Sequence, residues 1–217
     1  NTRTPTLLQV DTVLPIAQVT TNPTTNTTIS WKNSQTGQVS SDSAGTVYLV
    51  RNSVAVSGVS SITSANSNLW KSVSIGAINT ATNVALTGLL GGTYKAYALD
   101  VAGNFGIAST NSMLIYSQAS APTNLVATPS VGSMGPKIDL SWTVPTDDGG
   151  GISTYQIEYS TDGGSTWSTY LRSANPGTTF SIYPVNYETD YLFRISAVNL
   201  WGTGTTSSNS NTANVSI

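Results

Sequence analysis

Cysteine and histidine are absent from this 217-residue chain, and only 8% of its residues are charged. An ordinary soluble domain carries about 25% charge. Without those two residue types the chain cannot assemble a zinc site of the usual nitrogen and sulfur ligands. A thiol nucleophile, a Ser-His-Asp triad and imidazole acid–base chemistry are excluded with it. The 8 basic and 10 acidic residues are dispersed and leave a net charge of −2. A phosphate-neutralising footprint is therefore missing, and no nucleic-acid partner is expected. No apolar run approaches the ~18 residues of a membrane-spanning helix, so no membrane insertion is expected either. The sequence opens on Asn1, without Met or a charged-then-apolar leader, and reads as a mature or excised piece. In place of charge stand Ser, Thr and Asn, which make up more than a third of the chain and imply a neutral, polar surface.

Helical signals are almost as scarce. β-Branched and aromatic clusters recur between Gly, Asn, Asp, Ser and Pro punctuation. They predict strands over 16–20, 27–31, 45–50, 70–75, 83–86, 93–99 and 113–116. In the second half they predict strands over 124–128, 137–142, 153–160, 168–172, 179–182, 191–199 and 213–217. The period of two is plain in Tyr191-Leu192-Phe193-Arg194-Ile195-Ser196-Ala197, where the odd positions form an apolar face and Arg194 and Ser196 face outward. About seven short strands per half predict an all-β chain of two tandem immunoglobulin-like or fibronectin-like β-sandwiches. The seam falls in the small-residue stretch Ser117 to Ala121, closed by Pro122, which cannot donate to a ladder. This places the domains at 1–118 and 119–217.

Repetition supports that division. Ala98-Leu-Asp100-Val-Ala-Gly103 returns one domain length later as Ala197-Val-Asn199-Leu-Trp-Gly202, and Ile29-Ser-Trp31 is echoed by Leu140-Ser-Trp142. The longer Trp-to-Ala separation in the first half predicts extra loop around 57–68.

On these residues the second half resembles a fibronectin type III domain from about residue 120 onward. Ala121-Pro122-Thr-Asn-Leu125, Ile138-Asp-Leu-Ser-Trp142, Ile152 to Tyr159 and Thr189 to Asn199 carry the resemblance. It implies a core role for Trp142 and a tyrosine-corner role for Tyr191, whose hydroxyl would be tied back to nearby backbone. Val185 and Tyr187 depart from the family's usual Leu and Pro. The first half is similar to a bacterial immunoglobulin-like repeat, on Asp11-Thr-Val-Leu-Pro15, Ala44 to Val50, Gly92 to Asp100 and Ala102-Gly-Asn104. Both resemblances imply extracellular binding, spacing or scaffolding, with no catalysis and no cofactor.

Four groupings could carry chemistry. Ser160-Thr-Asp162-Gly-Gly-Ser-Thr166-Trp167 has the pattern of the Asp-box found in sialidase-like propellers. Here it separates two predicted strands, so Asp162 is expected to bond turn amides and Trp167 to cover them. Asp147-Asp148 precedes three glycines, a solvated-turn signature, whereas acid–base catalysis needs carboxylates opposed across a cleft. Asp11, Asp100 and Asn104 are the candidates for an intermodular calcium site that the first resemblance suggests, though calcium takes six to eight oxygens. Trp70, Trp167, Trp201, Tyr170 and Tyr183 are candidates for stacking on sugars. Asn26-Thr-Thr28 and Asn214-Val-Ser216 fit the glycosylation pattern.

Together these observations point to a non-enzymatic module pair of a bacterial surface protein: an adhesin, filament or surface-layer component, secreted or at the cell surface. Its partners would be neighbouring modules or subunits of the same protein, with surface glycans or proteins as further contacts. Alternatives are a bacteriophage decoration or fibre protein in the virion, and an accessory module of a secreted polysaccharide-degrading enzyme. The apolar stretch Leu7–Val10 would pair within the chain or add to a neighbour's sheet edge.

Overall fold

The computed structural model describes residues 11–20 and 29–217. Leu7–Val10 and the Asn26 sequon lie outside the described residues. The chain divides into two compact units, Asn1–Leu89 with Thr93–Ile115 and Leu90–Gly92 with Tyr116–Ile217. Each holds two antiparallel sheets around its own core, a β-sandwich, and the fold is nearly all β.

In the first unit, β1 (Ala17–Val19), β3 (Thr36–Ser41) and β6 (Thr82–Ala85) form one sheet in the order β1-β3-β6. The other sheet runs β2-β8-β7-β4-β5, from β2 (Ile29–Lys32), β8 (Met113–Tyr116), β7 (Gly92–Asp100), β4 (Gly45–Arg51) and β5 (Trp70–Ile75). Alternation decides which side chains meet. In β7 Tyr94, Ala96 and Ala98 point inward against Leu49, Met113 and Ile115. The loop expected around 57–68 contains a short helix, α1 (Val59–Thr63), whose Ile62 is fully buried.

In the second unit, β13 (Thr179–Ile182), β10 (Gly135–Thr143) and β9 (Thr123–Gly132) form a three-stranded sheet in that order. The facing sheet runs β12 (Ser168–Tyr170), β11 (Thr154–Ser160), β14 (Leu192–Val198), β15 (Thr203–Thr206). Ile138, Leu140 and Trp142 of β10 meet Tyr155 and Ile157 of β11 and Phe193, Ile195 and Ala197 of β14. Ser196 faces outward in register but is only 3% exposed, covered by its 2.9 Å hydroxyl bond with Thr206.

Three segments depart from the sequence reading. β3 and β15 were not predicted, because each has too few large apolar residues to mark a strand. Residues 213–217, predicted as a strand, make only isolated bridges at Ala213 and Val215.

In both units the final segment is tied to the first strand by an asparagine. Asn111 accepts the Val19 N–H at 3.1 Å through Oδ1 and donates Nδ2 to the Val19 carbonyl. Asn211 does the same to Ala127, at 2.9 and 2.8 Å. Beside them, Ser109 Oγ accepts the Ala96 N–H and Ser210 Oγ accepts the Phe193 N–H, at 2.9 and 3.0 Å. Side chains here take the place of ladder bonds, which leaves no buried backbone group at these points unpaired.

Candidate functional site

The most developed surface structure is the 160–167 turn between β11 and β12. Gly163 and Gly164 adopt positive φ, 70° and 92°, which lets the chain reverse within a few residues. Asp162 organises the reversal. Its carboxylate accepts the Thr166 hydroxyl at 2.6 Å, the Thr166 N–H at 2.9 Å and the Ser160 hydroxyl at 2.7 Å. These donors, the Thr166 hydroxyl foremost, hold the carboxyl well below the usual carboxylate range. Both carboxylate oxygens are engaged by donors of the turn itself.

The turn in turn positions Trp167. Its indole N–H donates to the Gly164 carbonyl at 3.0 Å, and its ring lies under the Arg194 guanidinium, 4.3 Å from ring centroid to Cζ. Arg194 grips Glu158 with two bonds, Nε to Oε2 at 2.8 Å and Nη2 to Oε1 at 3.1 Å. Glu158 and Arg194 are direct cross-strand partners in β11 and β14. The result is a Trp–Arg–Glu stack on the outer face of the sheet. Sequence reasoning singled out Trp167 but not Arg194 or Glu158, because only the strand register brings those two together.

Asp162 also sets an acid dependence. Its folded pKa lies below the unfolded value, so its stabilisation is complete above the ordinary carboxylate range and is lost as pH falls through the folded value. Asp162→Asn should lower the stability of the second unit at neutral pH and flatten its decline in acid. Urea midpoints measured from neutral to strongly acidic pH check this: a variant curve parallel to that of the unaltered chain would contradict it.

The remaining candidates fall as follows. Trp142 is 6% exposed and packs edge-on against Tyr155, with centroids 5.1 Å apart. Burial pushes the Tyr155 phenol up. Tyr191 is buried, and its hydroxyl accepts the Asn186 N–H at 3.2 Å. Asp147 and Asp148 each cap the backbone two residues on, at Gly149 and Gly150, and do not face one another across a cleft.

Asp100 and Asn104 meet Asp11, but through its backbone. Asn104 Nδ2 bonds Asp100 Oδ2 at 2.9 Å and the Asp11 carbonyl at 3.1 Å. The Asn104 amide foremost holds the Asp100 carboxyl low, and the Asp11 carboxylate turns away to cap Val13 N–H at 3.0 Å. Among the described residues no cluster of three or more acidic side chains is present to hold a metal.

The aromatic candidates do not share one platform. Trp70 tilts against Tyr48 and donates to the Ala65 carbonyl at 3.4 Å, so it serves the first unit. Trp201 sits in the Asn199 turn, where its N–H donates to Asn199 Oδ1 at 2.9 Å. Tyr170 and Tyr183 do come together, with the Tyr170 hydroxyl donating to the Tyr183 carbonyl at 3.1 Å and Tyr183 to the Met134 carbonyl. Asn214 is held by Asp190 at 2.8 Å. No helix among the described residues is long and apolar enough to cross a membrane.

Comparison with known proteins places part of this chain in a family. Chitinase A1 of Niallia circulans is 29% identical over 154 residues, which are 65% of this chain and 20% of that protein. The chain therefore spans about a fifth of the length of this curated relative. A structure of titin domains covers 94% of this chain at 15% identity with a TM-score of 0.50, a likeness of fold covering 67% of that chain. A Fn3-like protein from Clostridium thermocellum is 25% identical over 43% of this chain and 91% of its own, with a TM-score of 0.36. The model of the fibronectin type III domain matches residues 120–213, which takes in the Trp142 strand, the Asp162 turn and the Tyr191 corner. Residues 120–213 are a fibronectin type III domain.

Proposed function

We propose that the chain is a non-catalytic extracellular module pair, a bacterial immunoglobulin-like repeat over 1–118 followed by the fibronectin type III domain over 119–217. Its work is spacing and shallow contact within a larger bacterial surface protein, against neighbouring modules or subunits. The observation that carries this reading is the match of a fibronectin type III model to the second unit, beside a relative five times longer than the matching stretch. The polar groups fit it too. Asp162, Asp147, Asp148 and Asp100 all satisfy their own turns, and Glu158 is engaged by Arg194. A second reading, an accessory module within a polysaccharide-acting enzyme, is favoured by the identity with Chitinase A1.

Both readings predict no turnover by the chain alone. Incubated with insoluble chitin, cellulose and soluble glycosides, it should release no more product than buffer does. Product formed in proportion to the chain, and lost in Asp162→Ala, would overturn the proposal.

A further inference from the structure

A cavity of the second unit opens at the edge of its core, where core residues and half-buried tyrosines reach the surface. It measures about 230 Å³ and is lined by Tyr159, Tyr170 and Tyr191 together with Ile182, Pro184, Val185 and Asn186. Ile182 and Tyr191 are buried, whereas Pro184 and Asn186 are exposed and Tyr159 and Tyr170 half-buried. The rings come from the end of β11, from β12 and from the corner before β14.

Two of the three rings are fixed in advance. Tyr191 is held by the Asn186 N–H, and Tyr170 by the Tyr183 carbonyl. Sites whose walls are already ordered lose less entropy when a ligand enters. The Tyr159 hydroxyl and the Asn186 side-chain amide, by contrast, bond to no other side chain or backbone group among the described residues. Those two groups remain to donate to and accept from a ligand.

The lining selects the ligand's chemistry. No charged side chain lines the cavity, so a phosphate or carboxylate entering it would be desolvated without a partner. Aromatic faces combined with neutral hydroxyl and amide groups suit a ring that carries C–H bonds on its face and hydroxyls on its rim. The volume is below the ~300 Å³ at which pockets for drug-sized ligands begin, which fits one ring and not an extended chain. A proline-rich peptide needs a groove several residues long. We propose that this pocket binds a single neutral pyranose ring of a glycan, with Tyr159 and Tyr170 as its stacking walls and Asn186 as its hydrogen-bonding rim. This goes beyond the spacer reading and does not depend on it.

The test is an amide NMR titration of the whole chain with cellotetraose, with chitotetraose and, separately, with a proline-rich peptide. Saturable shifts are expected at Tyr159, Tyr170 and Asn186 with at least one of the two sugars. Tyr159→Ala and Asn186→Ala should each weaken binding about tenfold. Tyr187→Ala, at a tyrosine outside the lining and 39% exposed, should leave it unchanged. Asn186 is exposed and its backbone bond to Tyr191 survives truncation, so this variant keeps the fold and isolates the contact. Absence of shifts with both sugars, or saturation by the peptide alone, would overturn the inference and leave the spacer reading standing. Cleavage of either tetrasaccharide during the titration would instead overturn the non-catalytic reading.

Discussion

Trp142→Ala is expected to unfold the second unit and leave the first folded. Trp142 is 6% exposed, and with Tyr155 it fills the space between β10 and the facing sheet. Truncating a buried Trp costs about 3–5 kcal/mol. A domain of this size is stable by about 5–15 kcal/mol, with small domains at the low end. The first unit's core draws on none of these residues. In an amide NMR spectrum the peaks of 123–215 should collapse to unfolded positions while those of Tyr94, Ala96 and Met113 stay dispersed. Loss of dispersion throughout would contradict the separation of the two cores.

The second large effect concerns the asparagine ties. Asn211→Ala leaves the Ala127 N–H and carbonyl without their partner. Each orphaned buried polar group costs about 1–3 kcal/mol, so the two together are expected to cost the second unit about 2–6 kcal/mol. Asn111→Ala should do the same to the first unit through Val19. Alanine itself creates no overpacking, so these are effects of lost pairing. Urea unfolding followed separately for each unit checks the prediction. It fails if either variant shifts the midpoint of the other unit, or shifts neither.

How much of this was legible in the sequence follows from what marks a strand. Strands rich in large apolar residues at alternate positions, such as β5, β8 and β13, fall where the pattern predicts them. β3 and β15 escape because glycine and serine fill most of their inward positions, with Val39 alone as a large apolar residue in β3. Gly37 lies inward in β3, where an added Cβ would come within 2.7 Å of Met113 Cε. Gly204 does so in β15, where a Cβ would meet the Ala119 carbonyl oxygen at 2.7 Å. At Gly204 the neighbour is backbone, which forbids the side chain that would announce a strand, whereas at Gly37 it is the flexible end of Met113. The end of the chain is the converse case. Ala213 and Val215 alternate and are buried, yet they form only single bridges, to Tyr191 and Tyr187.

The candidate sites divide along the same line. The Asp162 turn is local, with all its partners within four residues, so its donors could be read from spacing alone. The Arg194–Glu158 pair is 36 residues apart and the Asn211–Ala127 tie 84 apart. Nothing in the sequence brings those residues together until the strand register is known.

The claim at the centre is that the chain consists of two self-contained modules, and calorimetry of Trp142→Ala beside the unaltered chain tests it most directly. Two transitions are predicted for the unaltered chain, with one of them absent from the variant and the other at its original temperature. A single transition in the unaltered chain, or a variant in which both disappear together, would contradict it.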